Sequence, residues 1–229
     1  MQPPALFKER QVWLPTFFGF CVIAVVLTIF SFFVIRNVAA FLAENKPIAG
    51  RYLVVEGWVD PISLLHALNI YKKGNYEALI TTGGPIIGQL KSDYKTHAES
   101  AAAFIRTLGF DNSQLNVVPA PASAQNRTFL SAVMVREWFA ANQKGLVSMD
   151  VFSDHVHARR THLLYKMAFS DQVKIGIISA PPNGFKLRQW WKTSIGARVV
   201  FSELLGFVRA KYFFYPGELG SHQEKWGIY

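Results

Sequence analysis

The sequence predicts an α/β fold, and three observations carry that prediction. Strand-like and helix-like segments alternate about five times with short connections, as in a mostly parallel sheet covered by helices on both faces. The helix ends carry their own punctuation: Asp60-Pro61 reads as an N-cap with proline in the first turn, and Gly74 and Gly109 read as stops. The strand segments are short apolar runs, as expected for strands buried on both faces. Together they describe a three-layer α/β sandwich with a mostly parallel sheet, placed behind one N-terminal transmembrane helix and followed by an aromatic-basic helix.

The elements run in order along the chain. Tyr52 to Val55 reads as the first strand, followed by a helix ending at Lys73. Ala78 to Thr82 is the second strand and breaks at Gly83-Gly84-Pro85; a helix runs from about Asp93 to Leu108. Leu115 to Val118 is the third strand, and a loop rich in Pro, Ala and Ser leads to a helix over Asn126 to Ala141. Val147 to Phe152 is the fourth strand, Ala158 to Phe169 a helix and Val173 to Ile178 the fifth strand. The expected organisation is a tail over 1–11, a membrane helix over 12–36, a linker over 37–50, the α/β domain over 51–180 and the aromatic-basic segment over 181–229.

Half of the 229 residues are apolar, more than a soluble domain of this size needs. The excess lies between Gln11 and Ile35, a run without a charge. About 25 residues at ~1.5 Å each reach ~37 Å, enough for a ~30 Å hydrocarbon core. The run is too long and too aromatic for a cleaved signal peptide. Its flanking charges, Lys8 and Arg10 against Glu9 before it and Arg36, Lys46 and Arg51 against Glu44 after it, give no decisive orientation. The only cysteine, Cys21, falls inside the run, which excludes disulfides from the domain. A formal charge of +9 favours anionic partners. Nucleic acid is not among those expected, because there is no recognised binding motif and no basic helix with base-reading side chains.

Past Pro181-Pro182, aromatic residues interleave with Lys186, Arg188, Lys192, Arg198, Arg209 and Lys211. On a helical wheel Val200, Phe201, Leu204, Phe207, Val208 and Tyr212 share one broad face. That face suits either the membrane interface or packing on the sheet or the base of the anchor.

Chemistry concentrates at the strand ends, where ligands of open α/β sheets collect. Ser153-Asp154-His155-Val156-His157-Ala158-Arg159-Arg160 sets proton-transferring and anion-holding groups directly behind the fourth strand. His157 and Arg160 share a side if the segment is helical; His155 and His157 share one if it is extended. The first geometry suits an acid/base beside a phosphate clamp, whereas two histidines without further ligands are weak evidence for a metal, and no metal site is expected. Glu56, Gly57 and Asp60 follow the first strand. Gly83 and Gly84 follow the second, either as a backbone cradle for phosphate oxygens or as a plain tight turn. Arg127 and Thr128 open a helix whose free N–H groups favour anions. Glu99 lies among alanine and serine in the third helix, either packed toward the site or solvated. The candidate catalytic residues are therefore His157, Glu99 and Arg160; the candidate substrate or anion ligands are Glu56, Gly57, Asp60, Gly83, Gly84, Arg127, Thr128, Ser153 and His155. No Gly-x-Gly-x-x-Gly turn follows the first strand, which counts against a standard dinucleotide site, and no cofactor is assigned.

At these residues the chain resembles the YdcF-like family of envelope-associated domains, of the SanA and ElyC type. The strand-end turn falls on Val55 to Asp60, the glycine pair on Gly83 and Gly84, the helix glutamate on Glu99, the later threonine on Thr128 and the His-x-x-Arg signature on His157 and Arg160. The resemblance covers about Arg51 to Ile178. Two departures are Ser131, where an asparagine is usual, and Glu56-Gly57-Trp58 in place of a glycine-rich turn. The resemblance implies a Rossmann-like domain in bacterial cell-envelope biogenesis, held on one helix outside the cytoplasmic membrane, with the N-terminus inside. It also implies links to S-adenosylmethionine binding in some relatives and to polyprenyl-carrier or peptidoglycan processes in others. Two functions stand as expectations. One is hydrolysis or transfer at a phosphate ester or pyrophosphate of a lipid-linked glycan, with the bilayer and a polyprenyl-phosphate-linked glycan as partners. The other is a non-catalytic module that binds a nucleotide-like ligand or an envelope partner.

Overall fold

In the computed structural model, which describes residues 12–88, 93–122, 125–142, 145, 148–170 and 173–226, the chain forms two compact units, 1–37 and 38–229. The first consists largely of helix α1, Phe17–Leu42, whose last turns belong to the second unit. Thr16 caps α1, accepting the Gly19 N–H on its hydroxyl at 3.2 Å, so the helix starts later than the apolar run. It also ends later, at Leu42, because Val38 to Leu42 are helix-compatible and Ala39 and Leu42 find apolar cover in the second unit. An 18-residue window of α1 has mean hydropathy 2.8 and none of it is buried; the helix is long and apolar enough to cross a membrane.

The second unit is built on five parallel strands: β1 (Tyr52–Glu56), β2 (Ala78–Gly83), β3 (Leu115–Pro119), β4 (Ser148–Ser153) and β5 (Lys174–Ser179), in the order β3-β2-β1-β4-β5. Helices α2 (Pro61–Lys73), α3 (His97–Thr107), α4 (Arg127–Ala141) and α5 (Ala158–Phe169) connect them. The limits of α2 and α5 are those expected from their caps and apolar spacing; α3 starts four residues later than expected, where Thr96 and Glu99 form a capping box. The expected start of the fourth strand, Val147, lies outside the described residues.

Burial follows strand alternation. Tyr52, Val54, Ile80, Met149 and Val151 pack with α4 and α5, whereas Leu53, Val55, Leu79 and Phe152 pack with the α2 and α3 side. From β1 the chain builds β2 and β3 on one side, then returns past β1 to lay β4 on the other. The point where the order reverses lies between the carboxyl ends of β1 and β4, the place where such sheets open a crevice.

The expected linker over 37–50 is tied down rather than slack. Glu44 accepts from or pairs with His162 Nδ1 at 3.0 Å, Lys46 exchanges backbone hydrogen bonds with Ile177, and the N–H groups of Ile48 and Gly50 donate to Asp150, each at 2.8 Å. Asp150 is fully buried in β4 and also accepts from the Tyr76 hydroxyl at 3.0 Å, so three donors converge on one carboxylate.

After β5, helix α6 (Ser194–Tyr212) packs on α5, and the short helix α7 (His222–Trp226) returns to α4. Arg136 of α4 donates to both oxygens of buried Glu224, at 2.6 Å each, and to the carbonyl of Ala168. The apolar face expected of α6 is divided. Val200 and Phe207 are buried with Ala39, Leu42, Val156 and Trp190, but Phe201, Val208 and Tyr212, about a third of a turn further round the helix, are exposed.

Asp150→Ala removes the shared acceptor and leaves three donors at the sheet unmatched. It is expected to lower stability by about 3 kcal/mol, read as a shift in urea midpoint, whereas an exposed substitution such as Leu65→Ser should leave the midpoint nearly unchanged.

Candidate functional site

A cavity of about 750 Å³ opens at the carboxyl ends of β1 and β2, and α4, the turn before α5, and α6 complete its wall. Its floor is set by alternation. Glu56 continues the Tyr52-Val54 face of β1, Thr82 the Ala78-Ile80 face of β2 and Ser153 the Met149-Val151 face of β4, so each apolar file ends in a polar residue on the same side of the sheet. Ser153 donates its hydroxyl to Glu56 Oε2, and Thr161 of α5 donates to the same oxygen at 3.1 Å. Glu56 Oε1 is turned instead toward His157 Nε2, 4.0 Å away. The Thr82 hydroxyl, fully buried, has no hydrogen-bond partner among the described residues.

His157 is the hub of the wall. A one-turn 3-10 segment, His155–His157, follows β4 and feeds directly into α5, which sets His157 and Arg160 on one side as the helical reading expects. The Nδ1 atom of His157 is 3.0 Å from Glu203 Oε2 of α6, and Nε2 is 3.4 Å from the Thr128 hydroxyl. Arg160 grips the same Glu203 with two donors, Nε to Oε2 at 3.0 Å and Nη2 to Oε1 at 3.1 Å, and Nη2 also lies 2.9 Å from His157 Nδ1. A proton on Nδ1 satisfies Glu203 and leaves Nε2 as an acceptor facing Thr128 and the cavity. The Trp58 ring meets the imidazole edge to face at 4.7 Å, closing its other side. Burial pushes the Glu203 carboxyl up, but hydrogen bonding and charge from His157 and Arg160 outweigh it and hold the group at about 2. It is an ionised orienting group for the imidazole.

The cavity is cationic elsewhere. Arg127 and Thr128 occupy the first turn of α4, where Asn126 caps by accepting the Phe129 N–H at 3.1 Å. Arg209 of α6 and His97 of α3 also line the space; burial, together with the charge of Arg127, lowers the pKa of His97. The start of α3 sits directly over the first two strand ends. A side chain at Gly57 would meet the His97 carbonyl at 2.4 Å, and one at Gly83, which has φ +154°, would meet His97 Cβ at 2.9 Å. Gly83 thus brings α3 close, while Gly84 lines the cavity with Pro85 and Ile87.

Of the residues expected from sequence, Glu56, Gly83, Gly84, Arg127, Thr128, His157 and Arg160 come together around this cavity. Five do not line it. Glu99 is used in the capping box, accepting from the N–H groups of Lys95 and Thr96 at 2.9 and 3.0 Å. Asp60 caps α2 through Ile62 and Ser63. Ser153 lies beneath Glu56, and Gly57 lies beneath His97. His155 turns away: its Nδ1 accepts the Val156 N–H at 2.8 Å, its Nε2 meets Asp154 at 3.0 Å and its ring packs on Phe185. The expectation that Arg160 is a free phosphate clamp is also altered, because two of its nitrogens are engaged by Glu203. Among the described residues no group of three or more His, Cys, Asp or Glu could hold a metal ion.

Sequence reasoning missed Glu203, the partner of His157, together with His97 and Arg209. The available signal for Glu203 was its isolation, as the only carboxylate between Phe185 and Gly217 in a segment otherwise rich in cations. No family model matches the chain, and a search of characterised proteins gives no match.

Because Glu203 is held ionised below the 4.5 of a free glutamate, its pairing supports the fold fully above about pH 4.5, and that support is lost as pH falls toward about 2. Glu203→Gln is therefore expected to lower stability at pH 7 by about 2–3 kcal/mol. Urea titrations should show the gap between wild type and variant narrowing steadily across that acidic window.

Proposed function

We propose that the protein is a membrane-anchored enzyme of the bacterial cell envelope that hydrolyses or transfers at a phosphate ester or pyrophosphate of a lipid-linked glycan. The observation that carries this reading is the imidazole of His157, oriented by ionised Glu203 and turned by its Nε2 toward a cavity with Arg127, Arg209 and the amino end of α4 on its walls. A carboxylate that fixes the tautomer, an imidazole that moves a proton and cations that meet a developing negative charge are what attack at a phosphoryl centre requires.

In this reading an oxygen nucleophile, either water or an acceptor hydroxyl, gives its proton to His157 Nε2 as it attacks phosphorus. The bridging P–O bond breaks, and His157 returns the proton to the departing oxygen. Arg127, Arg209 and the first N–H groups of α4 hold the non-bridging oxygens. Arg160 acts mainly by locking Glu203. Glu56, a buried carboxylate, is suited to accept a hydrogen bond rather than to hold an anion, contrary to the role expected from its place in the sequence.

The lipid-linked substrate rests on α1, which is long and apolar enough to span a bilayer, and on the family resemblance around Val55–Asp60, Gly83-Gly84, Thr128, His157 and Arg160. The same resemblance supports a single-pass inner-membrane protein with the α/β unit on the extracytoplasmic side.

Full-length protein in detergent-lipid micelles, given polyprenyl diphosphate and sugar-linked polyprenyl diphosphate, should release phosphate or glycan phosphate. His157→Gln should lower turnover by about 10²–10⁴ while a cooperative melting transition is retained. Binding of these lipids without turnover would replace the enzyme reading by that of a binding module.

Arg160→Lys keeps the charge but cannot hold both Glu203 oxygens through a planar fork. It should lose most of the activity lost in Arg160→Ala, about 2–5 kcal/mol of transition-state stabilisation, as read from kcat/KM. Recovery to wild-type rates in the lysine variant would show that charge alone suffices.

A further inference from the structure

The outer face of α6 is unusual for a helix that helps to wall a site. Phe201, Leu205, Val208 and Tyr212 are 59%, 70%, 37% and 57% exposed, and their i, i+4, i+7, i+11 spacing gathers them within about 60° of arc. Phe213 and Tyr215 continue the exposed aromatic surface past the helix end. Cations flank the stripe, with Arg198 and Arg209 on one border and Lys211 on the other; Lys211 Nζ lies 5.1 Å from the Tyr212 ring centroid. The only carboxylate in the segment, Glu203, projects from the opposite face into its bonds with His157 and Arg160. An apolar stripe bordered by bases and free of acids complements a surface that is apolar inside and anionic at its boundary.

We infer that α6 is an interfacial helix that seats its Phe201-Leu205-Val208-Tyr212 stripe in an anionic phospholipid surface. This is a second membrane contact, separate from the apolar helix α1. The stripe is the outer edge of the broad face a sequence wheel selects, joined by Leu205, because Val200 and Phe207 on the other edge are occupied by the core. Arg209 gives the contact its consequence: it borders the stripe and also lines the cavity, so the route from headgroup level to the phosphate site is the width of one helix. Docking rests on α6 alone and stands apart from the reaction proposed above.

The test uses full-length protein with Cys21→Ser and Leu205→Cys, the new thiol carrying an environment-sensitive fluorophore, reconstituted into vesicles containing nitroxide-labelled lipid. A second preparation carries the fluorophore through Leu65→Cys on α2. In phosphatidylglycerol vesicles the α6 label should be quenched at least about twofold more than the α2 label, and more than in phosphatidylcholine vesicles. Adding Arg198→Glu and Lys211→Glu should reduce that excess while the melting transition stays in place, since both side chains are exposed. Equal quenching at the two positions would overturn the docking. So would energy transfer between α6 labels on separate chains, which would assign the stripe to a second copy. Neither outcome bears on phosphate release, which is measured separately.

Discussion

Burial of the parallel sheet on both faces is the constraint on which the rest of this structure depends. Every position of β1 and β2 is buried, so neither strand has a solvent side on which to carry polar groups along its length. In these two strands polar groups are confined to the last residues of each apolar file, and strand alternation then decides which side of the sheet they reach. Glu56, Thr82 and Ser153 emerge on the same side because they continue Val54, Ile80 and Val151. A carboxylate at such a position requires donors, and Ser153 and Thr161 supply them to one oxygen, leaving the other aimed at His157. The site is thus the polar termination of the core, located by the reversal of strand order between β1 and β4.

A second dependence joins the α/β layers to helix α6. His157 and Arg160 lie one turn apart and converge on the same carboxylate, which comes from α6, more than forty residues later. The Arg160 charge and several directed hydrogen bonds offset the desolvation of Glu203. The aromatic-basic segment is therefore part of the site. Its inward face supplies a carboxylate, its flank an arginine, and its outward face remains apolar and exposed.

The fold was legible because its signals are local. Asp60-Pro61 fixes the start of α2, and β-branched runs bounded by turns mark the strands without information from elsewhere in the chain. Site residues were legible where the strand-end argument reaches them, as at Glu56, Gly83, Thr128 and His157. It failed where a local bond took precedence: Glu99 and Asp60 satisfy helix N–H groups beside them, and His155 turns back to its own neighbours. It also failed at Glu203, whose partners are distant in sequence and whose role is invisible to periodicity. The wheel of α6 grouped Phe201 and Tyr212 with Val200 and Phe207 because periodicity shows that a helix has a broad apolar face but not where the core's share of it ends.

The segment from Leu42 to Gly50 holds to the α/β unit at alternate residues: Leu42 by burial, Glu44 to His162, Lys46 to Ile177, and Ile48 and Gly50 to Asp150. In mechanical terms this is a seam rather than a leash. Tension entering the polypeptide at Val38 is shared first among these attachments, which lie on α5 and on the edge strand β5 before the innermost of them reaches Asp150 of β4. A pull on the chain from its N-terminal side would thus load the fully buried carboxylate of Asp150 last, after a series of small, replaceable contacts had each yielded.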